Sequence, residues 1–442
     1  MTSPSAVPSP SPTPLTRSDY KTLGLSALGG TLEFYDFVIF VFFATTLGHL
    51  FFPPSLPDWL IQLQTLGIFA AGYLARPLGG IIIAHFGDKL GRKRMFTLSI
   101  FLMAFPTFFI GIMPTYATLG IAAPLLLLLM RIMQGAAIGG EMPGAWVFIA
   151  EHVPANRQGF GVGALTSGIT GGILLGSLMA IAINRIYTPE EVNAFAWRIP
   201  FIVGGVFGFV SVYLRRFLNE TPVFKTLAAK RELARELPLK TVVREHRAAC
   251  LVIAALTWSL STTVVVVILM TPTLLQSLYG IAPTTALEAN CVATLALTLG
   301  CLLFGWLYDR IGARPTMALA WGGLAVTAYV FYMNLAGIGS TELMVRYALV
   351  GLFCGAIATM PIVGVKVFPA VIRFSGLSFA YNMAYAVFGG LTPILTQLWL
   401  QRDPLAPAHY VAAVAVLAIV VGMLPLAVRG WQAGAVQAPG RA

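Results

Sequence analysis

The chain has 442 residues, 57% of them hydrophobic and 10% charged, with a net charge of +11. Soluble domains carry about 25% charged residues, so a water-soluble fold is excluded; the apolar blocks run to roughly 20 residues or more, enough to cross about 30 Å of hydrocarbon, and lack the alternation a β-barrel needs. The excess of Lys and Arg therefore reads as a marking of loops on one side of a membrane rather than a nucleic-acid footprint, and the expected fold class is an all-α membrane protein.

Residues 1–21 open with MTSPSAVPSPSPTPLTRS, too polar for the apolar stretch of a signal peptide and too poor in apolar residues to fold; a disordered cytoplasmic tail is expected. Six apolar runs follow, at roughly 24–51, 59–85, 95–113, 119–149, 160–184 and 197–217. A charged, helix-compatible linker spans 218–247, containing FKTLAAKRELARELPLK. Six more runs lie at roughly 248–279, 286–307, 316–337, 342–366, 372–400 and 408–428, before a tail at 429–442. With both termini on the cytoplasmic side, 22 of the 28 basic residues fall at inner loops, four at outer loops and two inside runs. That asymmetry is the positive-inside pattern of a twelve-span protein.

Charges inside the runs are the most informative residues, because each is expensive in hydrocarbon unless paired or hydrated. Run one holds Glu33 and Asp36, three residues apart and so on one helical face. Two carboxylates sharing a low-dielectric site do not both ionise readily, which suits the pair to carrying a proton; a static ion pair with Arg131 is the plainer alternative. Tyr35 adds a hydroxyl nearby. Arg76 ends run two and is expected to snorkel to the interface, with a lesser place in the inner loop contacts. Between runs two and three stands GDKLGRKR (87–94). Gly87 and Gly91 permit a tight turn, Asp88 suits a helix N-terminus or an Arg, and Arg92 and its basic neighbours hold the loop at an anionic surface. A conformational latch is expected there. Arg131 lies about twelve residues into run four, roughly 18 Å deep. It stays charged, so it must face a protein carboxylate, a substrate carboxylate, or each in turn. A bound anion would then compete for Arg131 and leave its acidic partner to take up a proton. Glu141, further along that run, is expected to reach the 2–3 loop.

Run five, GALTSGITGGILLGS (163–177), places Thr166, Ser167 and Thr170 along a potentially polar path among glycines that let helices approach closely. Run eleven, FAYNMAYAVFGG, carries Tyr381, Asn382 and Tyr385. These are candidate substrate contacts if runs five and eleven line the cavity; ordinary packing is the alternative. The turn YDRIGARP (308–315), with Asp309 and Arg310, is a weaker copy of GDKLGRKR. Arg346 stands as the counterpart of Arg131 and a second positive group for the pathway. Asp88 and Asp309 are 221 positions apart; Arg131 and Arg346, Glu151 and Lys366, and Pro154 and Pro369 are each 215 apart. A near-constant offset at several landmarks indicates duplication, and two matched halves around a midplane site form a transporter architecture. The four cysteines show neither metal-ligand nor disulfide spacing.

GDKLGRKR resembles the 2–3 loop signature of the major facilitator superfamily, with Lys89 where Arg is usual, and YDRIGARP is similar to its second-half copy. LLLMRIMQGAAIGGE (127–141) resembles the fourth-helix motif through Arg131, Gln134 and Gly135. LEFYDF (32–37), LARPLGG (74–80) and GGEMPGAWVFIAEHVP (139–154) resemble the metabolite:proton symporter branch, which takes up 2-oxoglutarate, citrate, shikimate or proline/betaine. The resemblance covers about residues 22–428. It implies twelve helices in two pseudo-symmetric halves, no cofactor beyond the proton gradient, and a multi-pass inner-membrane monomer that is not an enzyme. It also implies import of a small organic anion by proton symport, with Glu33, Asp36 and Arg131 coupling and Arg131, Gln134 and Tyr35 among the binding residues. A proton-coupled efflux antiporter is the alternative; the Gly-Pro pair usual in the fifth helix of antiporters is absent from run five.

Overall fold

The computed structural model describes residues 15–230, 238–333 and 335–424, without the side chains of Glu33, Phe37, Leu66 and Pro238. The expected tail segments 1–14 and 429–442, and linker residues 231–237, lie outside the described residues. The helices that follow are numbered for their spanning role. They are α1 (Arg17–Phe42), α2 (Asp58–Leu90), α3 (Arg92–Ile112), α4 (Ala122–His152), α5 (Gln158–Ile186) and α6 (Arg198–Arg215), then α7 (Arg247–Tyr279), α8 (Pro283–Ile311), α9 (Ala313–Tyr332), α10 (Ser340–Val367), α11 (Arg373–Leu400) and α12 (Ala406–Met423). Among the described residues eleven of these are long and apolar enough to cross a bilayer. The twelfth, α9, has 20 residues, a length of about 30 Å at 1.5 Å per residue. Large apolar side chains such as Leu74, Leu78, Leu251 and Val326 are exposed on the outside of the bundle, as a hydrocarbon-facing surface requires.

Two boundaries differ from the sequence reading. The first helix begins at Arg17, inside the segment expected to be tail, because Thr16 and Asp19 form a capping box: Thr16 N donates to Asp19 Oδ2 at 2.8 Å and Asp19 N to Thr16 Oγ1 at 3.2 Å. The first apolar run also breaks at Phe43, and Ala44–Phe51 forms a separate short helix. The linker contains two short helices, Pro222–Ala229 and Pro238–Glu245.

The turns at the two acid-Gly-base motifs are one residue long. Gly91 joins α2 to α3 at φ +117°, and Gly312 joins α8 to α9 at φ +87°. Only glycine reaches that region without strain, so the matched glycines fix matched hairpins in the two halves. Small residues let two further pairs touch: a Cβ on Gly135 of α4 would overlap Gly72 of α2, and one on Gly163 of α5 would meet Cys301 O of α8 at 2.7 Å.

The apolar core is divided unevenly. One buried cluster, including Leu32, Phe40, Met103, Leu127 and Phe201, lies wholly within α1–α6 and their connections. A second, larger cluster joins Ile83, Phe96, Trp146, Phe148 and Leu165 of the first half to Ile253, Leu297, Phe374 and Tyr381 of the second. The halves are therefore fused toward the GDKLGRKR end, while the opposite end of the first half packs on itself.

Candidate functional site

Asp36 projects from α1 and is fully buried. Arg131 of α4 reaches it, with Nη1 at 3.3 Å from Asp36 Oδ2, and donates from the same nitrogen to Gln134 Oε1 at 2.8 Å. Gln134 is three residues further along α4 and so shares the face of Arg131. Its Nε2 donates to Thr107 Oγ1 on α3 at 2.9 Å, and Thr107 Oγ1 lies 2.9 Å from Asp36 Oδ1 and 2.8 Å from Met103 O. The single hydroxyl proton serves one of those two acceptors at a time. Phe40 and Phe69 cover the guanidinium, with ring centroids at 4.1 and 5.4 Å. A charge pair held this far from water needs each of these bonds to offset desolvation. The side chain of Glu33, the other carboxylate of the expected pair, lies outside the described residues. Tyr35 is turned to another neighbour: its OH donates to Pro200 O on α6 at 2.9 Å.

Arg76 does not snorkel. α2 continues fourteen residues beyond it to Leu90, so the side chain is held mid-helix and buried. Its guanidinium faces the rings of Tyr385 at 4.6 Å, Tyr73 at 5.5 Å and Tyr381 at 5.9 Å, and its Nη2 lies 3.8 Å from Met142 Sδ. Tyr73 and Tyr385 stack across the two halves at 6.1 Å and 10°. Beside them, Asn382 Nδ2 donates to Gly139 O at 2.7 Å and Ser378 Oγ to the same oxygen at 3.1 Å. That carbonyl is free to accept because its usual intrahelical donor, four residues on, is Pro143, which has no N–H. A side chain of the second half thus closes a gap in the hydrogen bonding of the first.

Glu141 does not reach the 2–3 loop. Both it and Arg215, the last residue of α6, are fully buried and paired with each other, and Ser99 Oγ donates to Glu141 Oε2. Arg215 also donates to Phe96 O and lies over the Phe96 ring. Gly29 of α1 makes room, since a Cβ there would overlap Arg215 and Glu141. On α5, Thr166 Oγ1 donates to Val162 O and Thr170 Oγ1 to Ser167 O; Thr170 also lies 3.3 Å from Thr298 of α8, and Ser167 is buried. Arg346 pairs with Glu342 at the start of α10 and does not enter the central cluster.

At the GDKLGRKR end the two halves meet through carboxylates. Asp88 Oδ2 accepts from Ser375 N at 2.9 Å and Ser375 Oγ at 2.7 Å, capping the first turn of α11. Arg92 stands at 3.1 Å from Asp88 and 3.5 Å from Glu151, and its Nη2 donates to Ala370 O at 2.8 Å. Arg373 reaches Glu151 at 3.1 Å. Gly87 admits the Phe374 ring where a Cβ would collide. The copy is faithful in kind: Asp309 accepts from Gly159 N at 2.8 Å and Phe160 N at 2.7 Å in the first turn of α5. Arg310 is exposed and lies over Trp306, outside this contact. Each half therefore caps a helix of the other.

The sequence reading named Asp36, Arg131, Gln134, Arg76, Tyr381, Asn382 and Tyr385, and these form two adjacent centres. It did not name Thr107 or Met142, ordinary residues inside apolar runs, nor Tyr73, which its three-residue spacing to Arg76 on α2 signals. It counted Arg215 only among the basic residues on the inner side, and Glu151 entered only as a repeat landmark.

Two six-helix sets clamped at one end around buried charges have the architecture of a multi-pass membrane transporter. The family model described as Major Facilitator Superfamily matches residues 37–393, and the chain belongs to that superfamily. It is 33% identical over 406 residues to a "Putative proline/betaine transporter" of Staphylococcus aureus (strain COL), covering 91% of this chain and 87% of that protein. It is 32% identical over 423 residues to the "Proline/betaine transporter" of Salmonella typhimurium, covering 91% and 82%. Among solved structures it resembles the major facilitator proton:xylose symporter XylE bound to 6-bromo-6-deoxy-D-glucose, with a TM-score of 0.76 at 17% identity, over 91% of this chain and 94% of that one.

Proposed function

We propose that this transporter imports a small zwitterionic solute, bearing a carboxylate and a positively charged nitrogen, by proton symport. The observation that carries the coupling half of this reading is the buried Asp36–Arg131 pair, satisfied through Thr107 and Gln134. A carboxylate balanced by one arginine in a dry interior is stable charged while the pair holds and stable protonated once it opens. Anything that draws Arg131 away therefore favours proton uptake on Asp36. The solute half is supported by relatives named for proline and betaine. Those names favour a zwitterion over the simple organic anion expected from sequence, and keep the carboxylate that reading required. In this proposal the GDKLGRKR end faces the cytoplasm, as the basic loops favour, and the protein works as a monomer.

The test is uptake into proteoliposomes. An inward proton gradient should drive accumulation of radiolabelled glycine betaine or proline. Asp36→Asn should abolish gradient-driven accumulation while leaving exchange of internal for external solute intact. Accumulation by the wild type without a proton gradient, or full accumulation by Asp36→Asn, refutes the coupling reading. Failure of both zwitterions, with succinate accumulated instead, refutes the solute reading.

A further inference from the structure

We propose that the flank of the molecule between α3 and α6 seats one anionic phospholipid, with its phosphate at Lys93 and Arg94 and an acyl chain in the groove beneath them. This seat lies outside the central charge cluster and does not depend on which solute is carried.

Three bases follow Gly91 in GDKLGRKR, and the contact between the halves uses one of them. Arg92 is buried against Asp88 and Glu151, while Lys93 is half-buried and Arg94 exposed. The matched turn of the second half closes its hairpin in the same way, with a glycine at positive φ, yet it reads Ala313, Arg314 and Pro315 where the first half has Arg92, Lys93 and Arg94. A hairpin of this shape therefore does not require a run of bases. Lys93 and Arg94 have a different neighbourhood. They line an open groove of about 680 Å³ whose wall is Leu90 of α2, Leu98 and Phe101 of α3 and Val212 of α6. Leu90, Leu98 and Phe101 are exposed, on the surface that faces hydrocarbon. A hollow in such a surface gains dispersion contacts only when something apolar fills it, and the bilayer supplies acyl chains for that purpose.

The charge and the depth of the mouth both fit a lipid headgroup. Lys93 Nζ donates to Arg216 O at 3.2 Å, just past the end of α6. Arg216 lies over the rings of Tyr213 at 3.7 Å and Phe217 at 4.6 Å, and Lys21 of α1 lies over Phe217 at 5.4 Å. Tyr213 and Phe217 are exposed. Amphipathic rings beside basic side chains mark the level of the membrane–water interface, so the mouth stands at phosphate depth and the apolar wall below it at acyl depth. Glu220 also lines the mouth, but its carboxylate is turned to Lys93 N, at 3.2 and 3.1 Å, and to Thr221 N at 2.9 Å. Lys21, Lys93, Arg94 and Arg216 thus face the headgroup region with one acid among them, and bases at this level attract anionic lipid. A basic mouth joined to an apolar groove selects an amphiphile with an anionic head over a free anion or an uncharged one. A lipid held there braces the first turn of α3, next to Arg92 of the contact between the halves.

Native mass spectrometry of the purified full-length protein, delipidated in detergent and titrated with phosphatidylglycerol or phosphatidylcholine, tests the seat. Wild type should retain one phosphatidylglycerol about tenfold more tightly than phosphatidylcholine. Lys93→Gln with Arg94→Gln should weaken that binding about tenfold or more. Arg314→Gln, which removes an exposed base at the matched turn, should leave it unchanged. Leu98→Trp, which fills the groove and keeps every base, should weaken it about tenfold. Equal retention of the two lipids by wild type overturns the proposal, as does an equal loss in Arg314→Gln, which would mean general attraction to a basic face. Loss in the Lys93 and Arg94 variant with wild-type binding in Leu98→Trp, or full displacement by inorganic phosphate, would show that a headgroup charge is held and no chain is seated. A dimer mass that disappears in Leu98→Trp would give the groove to a second copy of the chain. Should the Lys93 and Arg94 variant not be monodisperse, Arg94→Gln and Leu98→Trp decide: wild-type phosphatidylglycerol affinity in both overturns the seat.

Discussion

Glu141 and Arg215 are both fully buried, bonded to each other, and supported by Ser99 Oγ and Phe96 O. Removing one partner of such a pair strands the other charge, a loss of about 3–5 kcal/mol, whereas replacing both with apolar residues of similar size is often neutral. Glu141→Ala should therefore sharply lower the thermal midpoint of the detergent-solubilised protein, and Glu141→Met with Arg215→Met should restore it. If the double variant is as stable as wild type and still transports, the pair is structural; if it is stable but inactive, the pair takes part in the cycle. Only part of this arrangement could be read from the sequence. Asp36, Arg131 and Arg76 announce themselves because charge is rare in apolar runs and must be answered there. Their partners do not. Thr107, Ser99 and Ser375 are residues that any helix tolerates, and nothing local marks which of them faces a charge. Arg76 stands out by its charge, but reading it as the end of run two misses that α2 continues to Leu90 and holds it inside the bundle.

The helices themselves carry built-in interruptions, and two of them lie where the halves meet. Pro143 leaves Gly139 O without its intrahelical donor, and Asn382 and Ser378 of α11 supply the missing bonds. In α7, a π-turn at Val264–Met270 is stitched by Thr271 Oγ1, which donates to Val266 O at 2.9 Å, and by Tyr347 OH, which donates to Val267 O. A π-turn at Tyr385–Gly389 falls in α11, next to the Arg76 cluster. The twelve-run count and the break between halves were legible because apolar length is a strong signal. The π-turns were not, since their sequences read as ordinary apolar helix. The proline gap leads to a direct expectation. Pro143→Ala returns an N–H at the position that serves Gly139 O, so the carbonyl no longer depends on Asn382. The closed arrangement should then lose its preference at the fused end. Spin labels at the exposed positions Arg94 and Arg314 should report a longer distance component in Pro143→Ala, and likewise in Asn382→Ala. An unchanged distance distribution in both would show that the clamp does not hold the halves together.

At the scale of the whole molecule, duplication has produced two reciprocal caps: Asp88 at the end of α2 holds the start of α11, and Asp309 at the end of α8 holds the start of α5. The repeat offset in the sequence exposed the two acids as counterparts, but not that each serves the opposite half, because that depends on packing across the interface. The two caps are not equal. Asp88 is reinforced by Ser375 Oγ and by Arg92, which together with Arg373 also holds Glu151, whereas Asp309 holds two backbone N–H groups with the charges of Lys366 and Arg157 nearby. Loss of a capping side chain is worth about 0.5–2 kcal/mol, and 1.4 kcal/mol is a tenfold change in an equilibrium. Asn caps nearly as well as Asp but gives up the ion pair with Arg92, so substitution separates capping from charge. Asp88→Ala should raise the population open at this end about tenfold, read from the same Arg94 and Arg314 labels, with Asp88→Asn falling between Ala and wild type. Asp309→Ala alone should produce a smaller shift, and the two alanines together should add, because the caps lie on different helix pairs. A double variant no more open than Asp88→Ala would mean that Asp309 only stabilises α5 and that closure rests on one latch.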